Sequence, residues 1–116
     1  MSKLAYAVAV SLALAAGSAA AKGNPEKGKD KAQACAACHA VGGDWSKPLQ
    51  PEYPKLAGQH YDYLVTALNS YKFADKTVIG RKNAVMTGQA AALSKEDIEN
   101  LAAYLSGLKG PLHVKR

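Results

Sequence analysis

Cysteine is scarce in this chain of 116 residues: Cys35 and Cys38 are the only two. Two thiols, with His60 and His113 at no recognised spacing, do not supply the four ligands of a structural zinc site. No run of β-branched residues precedes Cys35, so the strand that a thioredoxin-like C-x-x-C pair needs ahead of it is missing. Past the N-terminal segment there is no convincing strand, no internal repeat and no low-complexity tract. The apolar run Leu4 to Ala16 is too short for a comfortable membrane span, and no cysteine near its end offers a site for a lipid anchor.

What that run does match is a secretory signal. Lys3 gives a small positive start, and Ser18-Ala19-Ala20-Ala21 offers small residues for cleavage, expected after Ala21. Retention of residues 1–21 as an uncleaved anchor is the alternative. Export leads to a periplasmic location and leaves residues 22–116, one small domain near the lower limit of what buries an adequate apolar core unaided. Lys3 is the one charged residue in the segment, so 14 of the 15 Lys and Arg and all nine Asp and Glu remain, a formal charge of +5. Such a balance favours acidic protein surfaces, and outside the cytoplasm it does not point to nucleic acid.

Cys35-Ala36-Ala37-Cys38-His39 is a C-x-x-C-H run, the attachment signature of a c-type haem. On a helix, Cys35 and Cys38 share one face, where both sulfurs reach the two vinyl groups of one porphyrin, and His39 meets the iron from the proximal side. A second such run is absent, so one haem per chain is the limit. The porphyrin then supplies apolar surface that a domain of this size lacks.

Three helices are expected around it. Asn24 caps the first, with Pro25 at its first position and Glu26 complementing the dipole, and it runs to about Ala37. Gly28, costly within a helix, implies close approach of another element. Gly42-Gly43, Pro48, Pro51 and Pro54 make Val41 to Pro54 a loop. Its Trp45 packs either at the haem edge with the indole N–H toward a propionate, or on the loop's own core. Tyr61, Leu64, Val65, Leu68 and Tyr71 mark one face of a second helix from Gln59 to about Phe73. Asp75 to Gly88 has no sustained period and reads as a surface loop. Ser94 caps the last helix, with Asp97 completing a capping-box pattern and Ile98, Leu101, Ala102 and Leu105 forming one stripe, until Gly107 or Gly110-Pro111 stops it.

Function turns on the face of the iron opposite His39. Met86 is the only methionine outside the signal segment and sits in the glycine-bounded loop, so it is the favoured distal ligand; His60 at the start of the second helix and an open site are the alternatives.

These stretches together resemble the class I cytochrome c family, in particular bacterial domains like those of the di-haem cytochromes c and their small single-haem relatives. The resemblance is carried by Pro25-Glu26-Lys27-Gly28-Lys29, the haem motif, Tyr53 through Gln59, Asn83-Ala84-Val85-Met86, and Leu93 through Leu105. It implies an all-α class I cytochrome c fold with three main helices and loops around one haem. It further implies that the Pro54 carbonyl accepts a hydrogen bond from His39, that Gly28 and Tyr104 meet where the first and last helices cross, and that Met86 is the distal ligand. Val85 and Thr87 flank Met86 where many relatives have a proline.

The function implied is that of a soluble one-electron carrier, not an enzyme, with no small-molecule substrate. Expected partners are redox proteins with acidic docking surfaces, membrane-bound oxidase or reductase complexes among them, steered by Lys72, Lys76, Arg81 and Lys82. A monomer or weak dimer is expected. A haem enzyme or gas sensor with an open distal site, and a dedicated haem subunit of an oxidase or dehydrogenase, are the competing functions.

Overall fold

A computed structural model describes residues 22–76 and 80–113; the expected signal segment lies outside the described residues. Asn24 caps the first helix as its side chain predicts, its Oδ1 accepting from the N–H groups of Glu26 at 2.9 Å and Lys27 at 3.1 Å. The helix expected to run unbroken to about Ala37 comes as two, α1 (Pro25–Lys31) and α2 (Gln33–His39). Ala32, fully buried between them, takes ψ −11°, tighter than a regular turn. Its N–H still reaches the Gly28 carbonyl and its carbonyl still receives Ala36, so the ladder bends without opening.

Downstream, the chain makes a short 3₁₀ turn (Val41–Gly43), then α3 (Tyr61–Lys72), α4 (Ala84–Ala91) and α5 (Lys95–Gly107). The described residues are all helix, turn and loop. The segment Asp75 to Gly88, read as a surface loop, contains the start of α4; residues 77–79 lie outside the described residues. The physical reason is a cap: Asn83 Oδ1 accepts from the Met86 N–H at 3.0 Å, which nucleates a turn that periodicity alone does not reveal. At α5 the capping box is complete, with Ser94 Oγ accepting from Asp97 N–H at 3.0 Å and Asp97 Oδ2 from Ser94 N–H at 2.9 Å.

The helices pack in a continuous series, α2 on α1, α1 on α5, α5 on α3, α3 on α4. At the α1–α5 crossing, a Cβ built on Gly28 would lie 1.9 Å from the Asn100 carbonyl oxygen and 2.9 Å from Tyr104 Cβ, so only glycine allows this approach. The buried Asn100 closes the same joint, its Oδ1 accepting from Asn24 N–H at 2.7 Å. Lys27–Glu96 and Lys31–Asp97 ion pairs flank it in solvent, where each adds little. The core gathers on α5: Leu64, Ala102 and Leu105, surrounded by Trp45, Leu56, Tyr61, Val65, Tyr104 and Leu108.

Candidate functional site

Every side chain of the C-x-x-C-H motif rides on α2. Cys35 and Cys38, three residues apart on this helix, are both half-buried free thiols. Burial, and then the neighbouring Cys38, push the Cys35 thiol above its ordinary value, which keeps it protonated at neutral pH. His39 ends the helix and is only 5% exposed. Its Nδ1 lies 2.8 Å from the Pro54 carbonyl oxygen. A carbonyl can only accept, so Nδ1 carries the proton and Nε2 is left with its lone pair as the one ring nitrogen able to bind a metal.

The loop that brings Pro54 there is itself tied down at both ends. Leu49 N–H donates to the Cys38 carbonyl at 2.9 Å and Val41 N–H to the Lys47 carbonyl at 2.9 Å, closing the loop onto α2. Inside it, Asp44 Oδ1 accepts from the Ser46 backbone and hydroxyl at 2.9 and 2.6 Å, which lowers the Asp44 carboxyl. At the far end Gly58, at φ +78°, donates its N–H to the Leu105 carbonyl at 2.9 Å and lets the His113 backbone pass where a Cβ would lie 2.6 Å from its nitrogen. His39 is thus held through backbone groups to α5.

Met86 stands elsewhere. It is half-buried in the first turn of α4, and α4 packs on α3, not on α2. The structure therefore brings His39 and Pro54 together and puts Met86 on α4, which does not touch the α2 helix of His39. His60 and His113 are both exposed, and His60 precedes α3 without a side-chain capping bond. Trp45 packs on the core side of its loop, edge-to-face with Tyr104 at 6.1 Å between ring centres. Among the described residues no three of His, Cys, Asp and Glu converge as a metal cluster. The donor set fits a c-type haem instead: two thiols on one helix face and a buried imidazole with a single available nitrogen.

Two of the four cations expected to steer partners are engaged with the protein's own groups. Lys72 Nζ donates to the Leu93 carbonyl, and Arg81 lies over the rings of Tyr63 and Tyr71 on α3. Lys76 and Lys82 are exposed. Reading every charge as solvated missed both contacts, which only the packing of the loop and α4 on α3 reveals.

Comparison with known proteins agrees with this donor set. The cytochrome c family profile matches residues 25–109. The chain is 42% identical over 98 residues to cytochrome c4 of Stutzerimonas stutzeri, covering 81% of this chain and 45% of that protein. It is 41% identical over 84 residues to cytochrome c-554(548) of Halomonas halodenitrificans, covering 72% of this chain and 95% of that protein. Among solved structures, reduced recombinant cytochrome c4 from Pseudomonas stutzeri superposes with a TM-score of 0.65 at 39% identity, over 76% of this chain and 47% of that one. The chain thus spans about half the length of the cytochrome c4 relatives and nearly all of the c-554(548) relative.

Proposed function

The chain belongs to the cytochrome c family and carries haem c, and from that premise we propose that it is a soluble one-electron carrier with His39 and Met86 as its axial ligands. The observation that carries the reading is the buried His39, whose Nδ1 meets the Pro54 carbonyl 2.8 Å away within a C-x-x-C-H motif. When bound, the haem supplies a ferric–ferrous couple that takes up and releases one electron.

The protein's own residues do the rest. Cys35 and Cys38, on one face of α2, would hold the ring through two thioethers. The Pro54 carbonyl keeps the proton of His39 on Nδ1, orients the imidazole and strengthens Nε2 as a donor. Met86 would contribute a thioether, which favours the reduced iron more than a second imidazole does. With His39 and Met86 both holding the metal, no substrate would reach it. Trp45, half-buried beside Tyr104, would offer its indole N–H to a propionate if its free edge faces the ring.

In this reading residues 1–21 are a signal removed after Ala21, and the carrier works in the periplasm as a monomer or weak dimer. Lys76 and Lys82, exposed before α4, steer redox proteins with acidic docking surfaces, such as membrane-bound oxidase or reductase complexes, to it. Exposure of the reduced, matured protein to carbon monoxide is the test. The Soret band is expected to stay unchanged at neutral pH; rapid stoichiometric binding would replace the carrier with a sensor or enzyme.

A further inference from the structure

Arg81 lies five positions before Met86, on the stretch that leads from α3 into α4. A cation in a connecting segment ordinarily extends into water, yet this side chain folds back along the outside of α3, still partly in solvent. Its guanidinium carbon is 5.3 Å from the centre of the Tyr63 ring and 5.8 Å from that of Tyr71, and Nη2 donates to the Tyr63 hydroxyl at 3.2 Å. Only a flat, forked cation can stack on two rings and hydrogen-bond at once, which an ammonium group does not do.

The backbone follows the side chain. Arg81 N–H donates to the Ser70 carbonyl at 3.0 Å, and Gly80 presses on Ala74 so closely that a Cβ would lie 2.4 Å from its carbonyl oxygen. Two residues after Arg81, Asn83 accepts from the Met86 N–H, so the segment is fastened to α3 at Gly80 and Arg81 and closes into α4 at Asn83. The far end of α4 is fastened to the same helix by Lys72, through the Leu93 carbonyl.

We propose that Arg81 is a positioning residue for Met86: its clamp on Tyr63 and Tyr71 sets where α4 begins and, through the Asn83 cap, where the Met86 sulfur stands. The proposal rests on the reading of Met86 as the distal ligand. A clamp of this kind slows release of the thioether and so protects the iron from competing ligands.

The test uses the matured ferric protein and imidazole, following the rate at which imidazole abolishes the weak far-red sulfur-to-iron band. Arg81→Ala is expected to raise that rate about tenfold, as loss of a cation–π contact and a hydrogen bond implies. Arg81→Lys, which keeps the charge without the fork, is expected to share most of the increase, while Lys29→Ala, an equal loss of charge on α1, keeps the wild-type rate. An unchanged rate in Arg81→Ala, an equal rise in Lys29→Ala, or a rate that merely tracks the denaturant midpoint across all variants overturns the inference and leaves Met86 as ligand. A wild type without the band removes the Met86 reading first. If Arg81→Ala does not mature, Tyr63→Phe decides: faster entry supports the clamp, and an unchanged rate overturns it.

Discussion

The two sides of the proposed axial pair are built in different ways. His39 is fixed by main-chain groups: the Pro54 carbonyl receives its Nδ1, the Gly58 N–H ties that loop to Leu105, and Gly28 lets α1 sink against α5. Met86 sits on an eight-residue helix, too short to be stable alone, which is capped by Asn83 and held to α3 by the Arg81 and Lys72 side chains with one main-chain bond, Arg81 N–H to the Ser70 carbonyl. Main-chain contacts depend little on which side chain a position carries, except where that position must be glycine. Side-chain contacts can be loosened one substitution at a time. The proximal side therefore rests mainly on main-chain contacts, and the distal side more on side chains that single substitutions can loosen.

Gly28→Ala is the sharpest challenge to the first half. With 1.9 Å between the new Cβ and the Asn100 oxygen, the α1–α5 joint must part, and a loss of about 3 kcal/mol is expected in denaturant unfolding, the upper end for overpacking. Full stability would mean the joint is looser than described. On the distal side, Lys72→Met removes the donor to the Leu93 carbonyl and is expected to cost about 1.5 kcal/mol, the low end for a charged donor that is half in solvent. The loss should concentrate in α4, visible as faster amide exchange there than in α2.

The last helix serves both sides, and its cap provides a reference. Ser94→Ala is expected to cost about 1 kcal/mol with no preference for either half. Its partner Asp97 titrates low, first because its carboxylate accepts from the Ser94 backbone and then through the Ser94 hydroxyl and Lys31. A depressed carboxyl contributes stability above its unfolded value and loses it as pH falls through the folded one. Unfolding profiles should thus steepen on acidification below about pH 4, and Asp97→Asn should flatten that limb. The smallest effect is expected from Pro54→Ala. The carbonyl that holds His39 remains, so the change is about 0.5 kcal/mol of unfolded-chain entropy. A large shift in haem spectrum or potential would show that the proline ring, and not its carbonyl, does the holding.

The proximal half was also the more legible half. C-x-x-C-H, the Asn24-Pro25 start and the Ser94–Asp97 box are local patterns whose chemistry requires particular residues at set spacings; the helices they start or ride on, like the one marked by the Tyr61-to-Tyr71 stripe, form where the residues predict. The Pro54–His39 contact came from resemblance, because nothing in the spacing of 15 residues says which carbonyl turns inward. The distal half was harder to read. α4 carries Gly88, lacks an amphipathic stripe and owes its start to one asparagine; Lys72 and Arg81 look like solvated charges until the fold supplies their partners, the Leu93 carbonyl for the first and the Tyr63 and Tyr71 rings for the second. The bend at Ala32 likewise has no local sign in an alanine-rich run.

One spectrum bears most directly on the central claim that His39 and Met86 clamp a haem held by Cys35 and Cys38. The ferric protein, wild type beside Met86→Ala, is predicted to show the weak far-red sulfur-to-iron band only in the wild type, with the Soret band present in both because the thioethers remain. A wild type that lacks the far-red band, or a variant that keeps it, would contradict the account.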